Sequence, residues 1–121
     1  MSGLLTPSNR LAVLEKDFGE RWTAEIKDFE IKDNEYTVYN IVSRCGRSSA
    51  KVQQRYSAFV VLHNEIASTL GLPREFPVEK HLLHRMDVVK FERVVKLSRY
   101  LNDVMEAGGA NVPAVRDFLR L

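Results

Sequence analysis

An α+β fold is predicted by three observations on this 121-residue chain. Residues 22–56 carry strand patterning, two long segments after them carry helical patterning, and the switch between the two is abrupt, at Arg55-Tyr56-Ser57-Ala58-Phe59. The predicted architecture is a three-stranded antiparallel meander packed on a helical subdomain of three to four helices. A proline-containing extended loop separates the first two main helices.

The elements follow in order. Residues 1–18 read as an N-terminal extension in which Leu11, Leu14 and Phe18 line one side of a short helix, too brief to stand alone. The domain proper occupies 19–121. In the first strand Trp22, Ala24 and Ile26 alternate, then the phase slips by one residue to Phe29 and Ile31, which predicts a β-bulge. Asp33-Asn34 suits a tight hairpin turn. Tyr36 to Val42 is β-branched and aromatic on both faces, as a central strand requires. Residues 43–49 read as a loop, and a third strand runs to Tyr56. Helical spacing of Phe59, Leu62, Ile66 and Leu70 predicts a helix from Ser57, a good capping residue, to a stop at Gly71. Pro73 and Pro77 keep the next stretch extended. A second helix is predicted over 87–106, burying Phe91, Val94, Leu97, Leu101, Val104 and Met105, and ended by Gly108-Gly109. Pro113 opens a last short helix with Val115, Phe118 and Leu119 on one side.

Composition narrows the function. With 45% hydrophobic residues the chain can bury a modest single core. No apolar run approaches the ~18 residues of a membrane span. Met1 to Pro7 lacks the basic start and apolar stretch of a secretory signal, and position 2 is not the glycine of N-myristoylation. Cys45 is the single cysteine, which excludes an internal disulfide, argues against a cysteine-based zinc site and suits a cytosolic or cytosol-facing protein. A net charge of +2 falls well short of a dedicated nucleic-acid binder. The cations are instead concentrated: Lys80, Arg85, Lys90, Arg93, Lys96 and Arg99 stand against only Asp87 and Glu92 over the same span.

The strand-to-helix switch carries the chemistry. Helix starts expose unpaired N–H groups and partial positive charge, and so attract anions. Arg55 at that point adds a two-pronged phosphate ligand. The Arg55-Tyr56-Ser57-Ala58-Phe59 motif is followed by Leu72-Pro73-Arg74-Glu75-Phe76-Pro77-Val78-Glu79-Lys80, by Phe91-Glu92-Arg93-Val94-Val95-Lys96-Leu97-Ser98-Arg99-Tyr100-Leu101, and by a final Asp117-Phe118-Leu119. In this order, and from about residue 20 to the end, the chain resembles the PX (phox-homology) domain of sorting-nexin-like proteins, a phosphoinositide-binding module that targets membranes.

The resemblance implies roles position by position. Arg55 matches the arginine that holds the 3-phosphate of phosphatidylinositol 3-phosphate, and Tyr56 the aromatic residue packed on the inositol ring. Lys80 matches the lysine on the 1-phosphate, and Arg93 the arginine that hydrogen-bonds the ring hydroxyls at positions 4 and 5. Gln54 and Ala58 depart from the family, which often has a basic and an acidic residue there. The loop also lacks the Pro-x-x-Pro pattern of a Src-homology-3 ligand. Physical chemistry agrees with these roles: each phosphate needs its own cation, ring hydroxyls need donors, and the planar guanidinium serves both. Leu82, Leu83 and Met86, set among His81, His84 and Arg85, are expected to enter the bilayer.

Lys90, Lys96 and Arg99 drift around a helix and read as solvated surface, with Arg93 the exception. Protonation of His81 and His84 would add charge beside the lipid, but two exposed histidines of no special role are simpler. With His63 on a different element, no third ligand completes a metal site. Cys45 reads as a plain loop thiol. No catalytic constellation can be placed, so the chain is not expected to be an enzyme or to need a cofactor. The expected partner is a phosphoinositide, phosphatidylinositol 3-phosphate first, met on the cytosolic face of endosomal or vacuolar membranes by a domain that is monomeric in isolation, with no nucleic acid. The alternative is a PX-like protein-interaction module with weak or no lipid selectivity.

Overall fold

The computed structural model describes residues 21–78 and 87–121, and the side chains of 87–90 are outside that description. The predicted extension over 1–18, together with Lys80, His81, Leu82, Leu83, His84 and Met86, lies outside the described residues.

Three antiparallel strands, β1 (Thr23–Lys32), β2 (Tyr36–Cys45) and β3 (Ser48–Arg55), form one sheet in the order β1-β2-β3. The register of β1 against β2 shifts between Ile26 and Asp28, the bulge that the hydrophobic phase slip predicts. Asp33 and Asn34 both take positive φ, at 52° and 55°, and Glu35 N donates to Lys32 O at 2.9 Å. These residue types tolerate the left-handed region, so the turn is short and follows the sheet twist. The expected loop over 43–49 is much tighter than its composition suggests. β2 continues to Cys45 and β3 starts at Ser48, so Gly46 (φ 59°) and Arg47 alone make the turn. Glycine at the left-handed position lets the ladder continue where a polar run had suggested a longer break.

Helix α1 (Tyr56–Leu70) begins directly after β3, one residue before the predicted start. Arg55 is its N-cap, with extended dihedrals and no side-chain capping bond, so Ser57 is not the cap. Gly71 ends α1 in the left-handed conformation, with Gly71 N donating to Ser68 O and Leu72 N to Ala67 O. Helix α2 (Asp87–Glu106) is followed by a 3₁₀ turn (Gly109–Asn111), and α3 (Pro113–Leu119) has proline in its first turn.

The core lies where the three helices meet one face of the sheet. Tyr39 and Ile41 of β2 and Ile26 of β1 pack against Phe59, Leu62 and Ile66 of α1 and Leu97, Leu101 and Val104 of α2. Val115, Phe118 and Leu119 of α3 close it. Phe59 is at its centre, edge-on to Tyr39 at 6.3 Å and to Phe118 at 4.9 Å between ring centroids. The sheet's other face carries a polar cluster: Gln53 Nε2 donates to Asn40 Oδ1 (2.8 Å), and Asn40 in turn donates to Asp28 and Glu30.

Phe91 does not join the core. It is 65% exposed, whereas Arg93, Leu97, Tyr100, Leu101 and Val104 are buried. At 100° per residue Phe91 is about 200° around the helix from Arg93, on the opposite side from the buried row. A charged residue occupies the position that hydrophobicity alone would have assigned elsewhere.

The α2–α3 connection is packed without slack. A Cβ on Gly109 would stand 2.6 Å from Val104 Cγ1 and 2.7 Å from Val104 O, and the latter is helix backbone that has little room to yield. Gly109→Ala is therefore expected to lower stability by about 1–3 kcal/mol in urea unfolding. A loss under about 0.5 kcal/mol would place it among ordinary surface changes and show that the connection can relax.

Candidate functional site

The site is built at the β3–α1 junction and along the first turns of α2. Tyr56, the first residue of α1, is one turn before Phe59, so burial of Phe59 in the core directs Tyr56 to the same side of the helix at the core's edge. Its ring carries Arg93 of α2, whose guanidinium carbon is 4.2 Å from the ring centroid. Its hydroxyl donates to Val78 O at 2.6 Å. Phe76 meets its edge at 5.7 Å. One tyrosine thus ties together the start of α1, the body of α2 and the proline-containing segment two residues before Lys80.

Arg93 is 8% exposed, and its Nε and Nη2 atoms are buried with no hydrogen-bond partner among the described residues. Among the described residues no carboxylate pairs with it: the ion pairs Lys27–Glu25, Lys32–Glu30 and Arg44–Glu25 all belong to the sheet. A desolvated guanidinium with unfilled donors is costly, and its stack on Tyr56 offsets only part of that cost. Tyr39 Oη is also buried without a hydrogen bond. Burial pushes its pKa upward, and the Arg93 side chain pulls the other way, first as a nearby hydrogen-bond donor and then by its charge.

Arg55 is placed differently. Its guanidinium carbon lies 4.4 Å above the Tyr36 ring, and in register it opposes Val38 on β2. The structure therefore brings Tyr56 and Arg93 together, while Arg55 rests on another aromatic ring at the rim of the sheet. The remaining expected contact, Lys80, is outside the described residues. Arginine has donors only and cannot cap a helix, so the first N–H groups of α1 have no side-chain acceptor from their N-cap residue.

Two further residues matter whose contacts motif reading does not give. Gln54, one of the departures from the family pattern, donates from Nε2 to Phe118 O at 2.7 Å and so holds α3 to β3. Ser98 Oγ accepts the Ile26 N–H at 2.8 Å, beside the bulge where the β1 ladder is interrupted. This bond sets the position of α2 along β1, and with it Arg93. Among the described residues no helix is long and apolar enough to cross a membrane.

The PX domain family matches residues 44–121. This chain belongs to the PX domain family. The match spans the strand–helix junction, the proline-containing segment and both later helices. Among solved structures, an X-ray structure of a designed CISK-PX domain is similar, with a TM-score of 0.72 and 24% identity over 82% of this chain and 99% of that one. That likeness shows the fold. No curated protein matches the chain. As a PX domain it is a phosphoinositide-binding module for membrane targeting, with the α+β meander-and-helix architecture of the family.

The buried cation with unfilled donors predicts a cost to stability. Arg93→Leu removes unfilled donors worth about 1–3 kcal/mol of penalty and a cation–π contact worth about 0.5–2 kcal/mol. The unliganded PX domain is therefore expected to gain about 1 kcal/mol, seen as a raised thermal midpoint. A lowered midpoint would mean that the Tyr56 stack outweighs the desolvation.

Proposed function

We propose that this PX domain recognises phosphatidylinositol 3-phosphate and brings its protein to the cytosolic face of endosomal or vacuolar membranes. The observation that carries this reading is Arg93: a buried guanidinium, fixed over Tyr56, with Nε and Nη2 unfilled. Those donors suit the free 4- and 5-hydroxyls of an inositol ring packed beside Tyr56. A phosphate at either position would need the space that the guanidinium takes, and this is the proposed source of selectivity for the 3-phosphorylated lipid.

Arg55 is assigned to the 3-phosphate and Lys80 to the 1-phosphate. Reaching the phosphate requires Arg55 to leave Tyr36. An exposed cation–π contact is worth about 0.5–1 kcal/mol, against about 1.5–3 kcal/mol for a charge-assisted hydrogen bond. The exchange favours the bound state, and the uncapped start of α1 adds to it.

Binding to vesicles that each carry one phosphoinositide tests this reading. Selective capture by phosphatidylinositol 3-phosphate is expected, weakened about tenfold or more by Arg55→Ala and by Arg93→Ala. Binding that survives both substitutions, or none to any lipid, would favour the protein-interaction alternative.

Headgroup contact is assigned a hydrophobic supplement from Leu82, Leu83 and Met86. Two leucines entering the bilayer would contribute about 2–4 kcal/mol if largely buried. Replacing both with aspartate should release the domain from vesicles while a soluble headgroup still binds. Unchanged vesicle binding would rule out insertion.

A further inference from the structure

The packing that supports the Tyr56 ring continues inward to a buried histidine. His63 lies about two turns along α1 on the same face as Tyr56, and is 1% exposed. Its Nε2 is 2.9 Å from Pro73 O and 3.2 Å from Arg74 O. Backbone carbonyls only accept, so Nε2 carries the proton and donates to them. In the neutral ring Nδ1 is then the acceptor, and Tyr100 Oη, 2.9 Å away, donates to it. Burial pushes the Tyr100 hydroxyl's pKa strongly upward, which keeps it protonated for that role. Both ring nitrogens are satisfied by a neutral imidazole in one tautomer.

The segment from Pro73 to Val78 is held by side chains. Among the described residues it makes no backbone–backbone hydrogen bond, and its two prolines have no N–H to offer. His63 holds its first carbonyls. Phe76 lodges among His63 (5.5 Å), Tyr100 (5.0 Å) and Tyr56 (5.7 Å). Tyr56 holds Val78 O at the far end. The contacts thus run without a break from the imidazole through Phe76 to the ring on which Arg93 lies.

We propose that His63 is a positioning residue for the lipid site. Donating to Pro73 and Arg74, it seats Phe76, and Phe76 sets the Tyr56 ring that orients Arg93 and fixes the chain two residues before Lys80. The consequence for binding rests on the phosphatidylinositol 3-phosphate reading above. The consequence for Arg93 in the unliganded protein does not.

Two readouts separate these. The first is the side-chain Nε–H resonance of Arg93 in the unliganded domain, which the Tyr56 ring current displaces from the position of a free arginine. The second is calorimetric binding of a soluble short-chain phosphatidylinositol 3-phosphate. His63→Leu is expected to return the resonance most of the way to the free position and to weaken binding about fivefold to twentyfold. His63→Gln, whose amide can donate from the ε position, should restore most of both. Tyr100→Phe, which keeps the ring and deletes only the bond to Nδ1, should move the resonance part of the way. An Arg93 resonance left in place by a folded His63→Leu overturns the positioning role. Should that variant not fold, an unmoved resonance in Tyr100→Phe overturns it instead. Equal displacement in His63→Gln and His63→Leu would assign the effect to ring volume and also overturn it. A wild-type domain that binds no phosphoinositide would defeat the lipid reading, while the resonance would still decide the role of His63.

Discussion

The burial of Phe59 is the constraint on which the rest of the structure depends. Its ring is fully enclosed and meets Tyr39 of the sheet and Phe118 of α3 edge-on, so three elements converge on one side chain. Because α1 starts immediately after β3, seating Phe59 fixes both the height and the rotation of the helix. Tyr56 one turn before it and His63 one turn after it then have little freedom in where they point. Leu62 and Ile66 extend the same face into the core. A hydrophobic contact therefore aims the polar groups on either side of it.

Arg93 is held by a second, independent chain of causes. On β1, an edge strand of the sheet, the Ile26 N–H beside the bulge is accepted by Ser98 Oγ. That bond fixes α2 along the sheet edge, while Leu97, Leu101 and Val104 fix its rotation. Arg93 is one turn before Leu97 on the same face, so a charge is carried into a position that packing would otherwise give to an apolar residue. The fold tolerates the desolvation because the rest of the helix is firmly packed. Groups fixed on rigid elements lose less entropy when a ligand arrives, and in the proposed lipid complex this is the benefit set against that cost.

Much of this was legible in the chain itself. The phase slip from Ile26 to Phe29 announced the bulge, Asp33-Asn34 announced its turn, and Gly71 announced the end of α1, because each is a local property of a few residues. The order of three motifs carried the family. The helix face of α2 is less legible: Phe91 reads as core because it is apolar, and its exposure follows from the rotation that burial of Leu97, Leu101 and Val104 imposes. Gln54 reads only as a departure from the family and His63 only as a rejected metal ligand for the same reason. Their partners, Phe118 O and the Pro73 and Arg74 carbonyls, are backbone atoms brought close only by the fold, and no side-chain pattern encodes a backbone acceptor.

The two arginines of the junction also differ in how they are prepared. Both lie over tyrosine rings at similar distances, 4.4 Å for Arg55 on Tyr36 and 4.2 Å for Arg93 on Tyr56. Arg93 is buried, and its ring is itself clamped by Phe76 and by the bond to Val78, so its place is set before any ligand arrives. Arg55 is exposed at the end of a strand, where water screens its charge and the ring is only a resting place. In the proposed lipid complex Arg93 therefore reads the shape of the inositol ring with little reorganisation. Arg55 moves to follow the phosphate. Selectivity then resides in the residue that is fixed, and electrostatic capture in the one that is free to turn.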